Sequence, residues 1–169
     1  MLRLAAVLAS PAAAAAVLIG APIAQAEPST ATVTKVVDGD TVDVTFDNGQ
    51  EDRVRILGID TPETVHPNKP VECRGPEATT FAKQELLNRR VAVMTDSTQD
   101  ERDDNDRLLA YLERDDSGWI YSVEAARAGV ARNYVYDEPV QLQPQIAAAE
   151  QEAQDAGVGL WGPPCNGGR

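Results

Sequence analysis

The stretch Arg53-Val-Arg-Ile-Leu-Gly-Ile-Asp60-Thr61-Pro62-Glu63-Thr64 decides how the rest of the chain is read. It describes a strand that ends in an acidic turn. Apolar residues with arginines let into the run suit a half-buried strand. Pro62 stops it, because proline offers no amide to a ladder and biases Thr61 towards an extended conformation. A cation and two carboxylates are thereby brought to the mouth of a sheet. A further carboxylate pair stands upstream in Asp38-Gly39-Asp40-Thr41. Two acidic turns with an arginine between them are the ingredients of a hard-metal site that also grips a phosphate.

Working outward, Thr32–Val37 and Thr41–Phe46 alternate and are rich in β-branched residues. With the hairpin signal Asp47-Asn48-Gly49 they make a three-stranded meander with Arg53–Ile59. Gly75-Pro76-Glu77 opens a helix, proline sitting where its missing amide costs nothing. Ala78, Ala82 and Leu86 share one face of it, with Phe81 beside them. Val91–Met94 and Arg107–Leu112 read as a fourth and a fifth strand, separated by an acidic segment, Asp96 to Asp106, that reads as a solvated loop. Ser122 caps a second helix that runs through Ala128 and closes at Gly129. Asn133–Tyr136 reads as a surface connection. A third helix, Pro144–Ala156, ends at Gly157 and turns Ile146, Ala149 and Ala153 to the core. Trp161 folds back before a loose Gly-rich tail. The fold class is α+β with a mainly β core: a five-stranded OB-fold barrel with three α-helices.

Met1–Ala26 has one charge, Arg3, then a long Ala/Leu/Val run and the small-residue ending Ala24-Gln25-Ala26. That is the layout of a cleaved secretory leader. A retained anchor fits less well, since Pro11, Gly20 and Pro22 interrupt the run and no basic stop follows. The reading is a leader over 1–26, one domain over 27–162 and a short tail over 163–169. The protein is then secreted, with envelope association left open and no membrane role after cleavage. Cys73 and Cys165 are the two cysteines, and in an exported chain they default to a disulfide, two unrelated buried thiols being the alternative. Such a bond closes a long loop, worth roughly 4–5 kcal/mol in the chain-entropy picture.

The formal net charge is −12. This argues against nucleic acid, because phosphate attraction normally comes from a basic face. A local cation is needed to reverse it. With a single histidine, His66, in a Pro-rich loop, a Ser/His/Asp triad is excluded, and no zinc-ligand spacing is present. The reagents left are carboxylates and arginines, which suit phosphodiester hydrolysis. A hard cation on Asp40 and Asp60 would neutralise a phosphate oxygen. Arginine offers phosphate two parallel hydrogen bonds, and a carboxylate such as Glu63 can take a proton from water. Singly, each residue has a plainer reading. Asp38-Gly39 and Asp60-Thr61-Pro62 serve as turns, Arg55 as the partner of a surface acid, and Arg107 as half of a local ion pair with its neighbouring aspartates.

Together the motifs are specific. Val37-Asp-Gly-Asp-Thr41, Arg55-Ile-Leu-Gly-Ile-Asp-Thr-Pro-Glu-Thr64, Gly75-Pro-Glu-Ala78, Asp106-Arg-Leu-Leu-Ala-Tyr111 and Trp161 closely resemble the thermonuclease family, the staphylococcal-nuclease-like domains. The resemblance implies an OB-fold barrel and a Ca²⁺-dependent nuclease acting on DNA and RNA, single-stranded or denatured, as a monomer with no protein partner. It implies cleavage of the P–O5′ bond to leave 3′-phosphate ends. Asp40, Asp60 and the Thr61 carbonyl become the Ca²⁺ ligands, with Asp38 behind them. Arg55 and Arg107 become the phosphate clamps and Glu63 the residue that activates or positions water. Lys69 and Tyr134 line the nucleotide site. Where the family carries a Lys/Arg-Tyr-Gly run, this chain has Asp104-Asn105-Asp106, which predicts weaker substrate binding and a second, weak cation there. The competing reading is a catalytically weak or inactive module of the same fold that binds a ligand or partner. An acidic exported Ca²⁺-binding protein is the third.

Overall fold

The computed structural model describes residues 29–64, 70–114 and 117–168. The proposed leader, His66, Lys69 and Arg169 lie outside them. Strands β1 (Ser29–Val36), β2 (Thr41–Phe46) and β3 (Glu51–Ile56) form the expected meander. The third strand is shorter than the sequence suggests. Gly58, at φ +79°, breaks the apolar run, and a separate two-residue strand, β4 (Ile59–Asp60), follows. A side chain at Gly58 would need a left-handed backbone and would strike Ile146 at 2.4 Å.

Helix α1 (Gly75–Leu86) crosses to β5 (Arg90–Met94), and its buried face is Ala78, Ala82 and Leu86. β6 (Leu108–Arg114) and the short β7 (Trp119–Ile120) complete the sheet. Its order is β3-β2-β1-β5-β6-β7, and an additional pairing of β3 with β6 closes the five long strands into a barrel. That closing pair is parallel, setting Arg55 beside Leu109, while β2 sets Thr41 on the other side of Arg55. Closure removes the free edges that an open five-stranded sheet would expose. The core is aliphatic, with Val33, Val42, Val44, Val54, Ile56 and Leu112 essentially without solvent contact.

Helices α2 (Tyr121–Arg127) and α3 (Gln143–Ala156) pack together beneath the barrel, and β8 (Arg132–Asn133) pairs with β4. α3 buries Ile146, Ala149 and Ala153 and ends at Gly157 in the left-handed conformation, as the sequence predicts. Two local expectations fail, at Ser122 and in the tail. Ser122 lies inside α2, and its hydroxyl donates to the Leu57 carbonyl (2.7 Å) instead of capping the helix. Trp161 does fold back, half-buried with Arg132 over its ring at 4.7 Å, and Leu160 beside it is fully buried. The tail is held, not loose: Arg132 donates to the carbonyls of Gly167 and Gly168, and Cys73 is bonded to Cys165.

Asp96 is a further departure. It is 4% exposed in a segment that reads as solvated. Its carboxylate accepts from the Thr98 amide and hydroxyl, the Tyr111 hydroxyl and the Gln141 amide, 2.7–2.9 Å away. Burial works to raise its pKa, but these donors outweigh it and hold the carboxyl below the ordinary range. One side chain so joins the loop after β5, strand β6 and the entry to α3.

Candidate active site

A cleft of about 540 Å³ opens where β2 begins and β3 and β4 end, and Asp38, Asp40, Arg55, Asp60, Thr61, Glu63, Arg107 and Tyr134 all line it. Eight of the residues singled out from the sequence are thus brought to one place by four separate stretches of chain.

The centre is Asp40, 7% exposed. Its Oδ2 accepts from the Thr61 amide (2.8 Å) and hydroxyl (2.9 Å), and its Oδ1 from the Thr41 hydroxyl (3.1 Å). These bonds tie the first acidic turn to the second across 21 residues. Gly39 allows the approach, because a Cβ there would lie 2.8 Å from the Thr61 side chain. The buried Tyr121 hydroxyl donates to the Gly39 carbonyl (2.7 Å) and holds the turn from below.

Arg55 projects from β3 between the two aspartates. Nε lies 3.5 Å from Asp40 Oδ1, and Nη2 lies 3.8 Å from Asp60 Oδ1. The guanidinium is oriented by backbone: Nη1 donates to the Ile56 carbonyl (2.7 Å) and Nη2 to the Ile59 carbonyl (2.8 Å). A cation held by carbonyls at the floor of a cleft keeps its remaining donors for a ligand oxygen.

Asp38 accepts from the Asp40 amide (3.1 Å). Its pKa is pushed up to about 6, and the rise is chiefly the cost of burying the carboxylate, with the neighbouring Asp40 charge adding to it. The donors here are all oxygen. The Thr61 amide and hydroxyl are both committed to Asp40. Among the described residues no three His, Cys, Asp or Glu side chains gather closely enough to form a metal cluster. A metal seated between Asp40 and Asp60 would therefore rest on their two carboxylates and draw its other oxygens from backbone and water. That set fits Ca²⁺, which accepts six to eight oxygens in loose geometry.

Arg107 sits one residue before β6 and is engaged differently. Its Nε donates to Asp103 Oδ2 (2.7 Å), Nη2 lies 2.6 Å from the same oxygen, and its amide donates to Oδ1 (3.0 Å). Burial raises the Asp103 pKa, and the bonds from Arg107 more than reverse this. The local ion pair and the place in the cleft are therefore both realised. Arg102, unremarked in the sequence, also lines the cleft and is paired with Asp52 (2.5 Å). Tyr136 joins Tyr134 on the rim, 75% exposed. The alternation Tyr134-Val135-Tyr136 was the available signal for it. Glu63 has its Oε1 fixed by the Thr64 amide (2.9 Å).

Comparison with known proteins places the chain in a family. The family model described as staphylococcal nuclease homologue matches residues 53–163. A thermonuclease of Staphylococcus intermedius is 39% identical over 129 residues, covering 76% of this chain and 74% of the relative. A thermonuclease of Staphylococcus hyicus is 35% identical over 145 residues, covering 83% and 80%. The endonuclease YncB of Bacillus subtilis is 37% identical over 131 residues, covering 77% of this chain and 60% of the relative.

Proposed function

This chain belongs to the staphylococcal nuclease homologue family, and we propose that it is a secreted nuclease that hydrolyses DNA and RNA with Ca²⁺ and leaves 3′-phosphate ends. The observation that carries the reading is Arg55, half-buried between Asp40 and Asp60 and aimed by two carbonyls into a cleft that Glu63 and Arg107 also line.

Asp40, Asp60 and the Thr61 carbonyl are the groups that would hold Ca²⁺, with Asp38 behind them. Bound there, the ion supplies positive charge to a phosphate oxygen and offsets the acidic surroundings. Arg55 and Arg107 grip the non-bridging oxygens of the scissile diester, and Arg55, already oriented, meets the charge that grows on them in the transition state. Glu63 accepts a proton from the attacking water, or orients it, as the new P–O bond forms and the P–O5′ bond breaks. The leaving O5′ takes a proton from solvent water and departs as a hydroxyl, while Glu63 returns the proton it accepted to solvent. Tyr134, on the rim, offers a face for a base, and such stacking favours single strands. Lys69 is assigned to the same nucleotide site.

The assignment extends to a cleaved leader over 1–26, a catalytic domain over 27–162, the tail 163–169 and a monomeric product outside the cell. The test is direct. Purified protein should digest denatured DNA and RNA with Ca²⁺, stop when a chelator is added, and yield fragments that a 3′-phosphatase but not a 5′-phosphatase dephosphorylates. Binding without cleavage under every divalent metal would instead identify an inactive module of the same fold.

A further inference from the structure

The peptide that carries Glu63 is clasped by a second acidic residue, and that residue is chained to the far end of the protein. The Glu63 amide donates to Glu72 Oε2 (3.2 Å), and the Glu72 amide donates to the Glu63 carbonyl (2.9 Å). Glu72 thus holds both polar groups of the Glu63 backbone, one with its side chain and one with its main chain. Behind it, the Gly75 amide donates to the Glu72 carbonyl (3.0 Å). A Cβ on Gly75 would lie 2.5 Å from Thr64 Cγ2 and 3.1 Å from the Glu63 carbonyl oxygen, so the start of α1 is pressed against the same peptide.

Cys73 follows Glu72 directly, and its disulfide to Cys165 spans 92 residues. The next residue, Arg74, donates to the Pro163 carbonyl (2.8 Å), a second tie to the same tail. The tail is itself secured to β8, where Arg132 donates to Gly167 and Gly168 and stacks over the Trp161 ring at 4.7 Å. A continuous path of bonds therefore runs from β8 through the tail and the disulfide to Glu72 and Glu63. The chain before Glu63 leaves the barrel at Pro62, so this path ties the Glu63 peptide to the body of the protein from its C-terminal side.

We infer that Glu72, fixed by the Cys73–Cys165 disulfide, is the positioning residue for Glu63, and that the disulfide sets catalytic rate as well as stability. This rests on the role given to Glu63 above. A positioning error of an ångström suffices to lose rate without loss of binding. The bond is also a redox input. A dithiol such as dithiothreitol converts it to two thiols while itself closing to a cyclic disulfide, and no other cysteine exists to react.

The experiment compares the full-length chain with Glu72→Ala, Glu72→Gln, the double variant Cys73→Ser/Cys165→Ser and the dithiothreitol-reduced protein. All are assayed well below each one's melting midpoint. Glu72→Ala, the double variant and the reduced protein should each lower kcat roughly tenfold with KM unchanged. Glu72→Gln, which keeps an acceptor oxygen, should recover most of the loss. Hydrogen exchange at the Glu63 amide should accelerate in the impaired forms without Ca²⁺ or substrate present. A wild-type kcat in Glu72→Ala and in the double variant, or an unchanged Glu63 exchange rate in both, overturns the clasp. If Glu63→Gln retains full rate while exchange at that amide still responds, the role of Glu63 has failed and the catalytic purpose of the clasp falls with it.

Discussion

Arg55 sits on a barrel strand and gives two N–H groups to the carbonyls of Ile56 and Ile59, whereas Arg107 sits before a strand and gives its guanidinium to the Asp103 carboxylate. Arg55 is the more buried, 15% exposed against 29%. Its nearest carboxylates stand off at 3.5 and 3.8 Å, while Arg107 and Asp103 touch at 2.6 Å. Backbone carbonyls orient a cation without cancelling its charge, but a bound carboxylate does both. Arg55 is therefore ready for phosphate, and Arg107 must exchange an anion to receive it. One arginine is set by the fold, the other by a competitor in its own loop.

The largest effect expected from this contrast is at Arg55. Arg55→Lys keeps the charge but loses the planar fork, and kcat should fall by roughly 10²–10³-fold at saturating Ca²⁺. Circular dichroism should show the fold retained. A loss below about tenfold would mean that orientation by the two carbonyls contributes little.

The second test isolates a carboxylate held by neutral donors alone. Asp96→Asn places an amide N–H against the donors that Asp96 now accepts from, and should cost about 1–3 kcal/mol of stability by chemical denaturation. The folded pKa of Asp96 lies below its unfolded value. Its stabilising contribution is therefore complete above the unfolded carboxylate range, near pH 4, and is lost as pH falls towards the folded value. The melting midpoint of the native protein should drop with acid through that window, and Asp96→Asn should show a shallower drop. Equal slopes would remove Asp96 from the acid response.

The smallest effect belongs to the competing pair. Asp103→Asn relieves Arg107 of a charged partner that is itself partly solvated, so the gain is limited to that of a partly exposed ion pair. KM for oligonucleotide should fall roughly threefold, with kcat changed less. A rise in KM would show that Asp103 positions Arg107 instead of competing for it.

The features legible in the sequence share a short range. Ala78, Ala82 and Leu86 declare a helix face because four-residue spacing is local. The meander follows from alternation and turn residues, and the two acidic turns stand out because each is complete within four or five residues. Nothing local separates Arg102 from any other exposed residue, and the alternation of Tyr136 with Tyr134 reads equally well as a plain surface connection. Asp96 was misread for a related reason: an aspartate among aspartates looks solvated until Tyr111 and Gln141 arrive from 15 and 45 residues away.

The sequence by itself determined the barrel with its three helices, the family, and the chemical types gathered for the site, since strand period, helix period and turn chemistry are written in neighbouring residues. Only the tertiary structure decided which oxygen each arginine meets, that Ser122 serves Leu57 instead of its own helix, and that Glu72 holds Glu63. Those choices depend on distances between stretches that lie far apart in the chain, and barrel closure through the parallel pairing of β3 and β6 sets those distances.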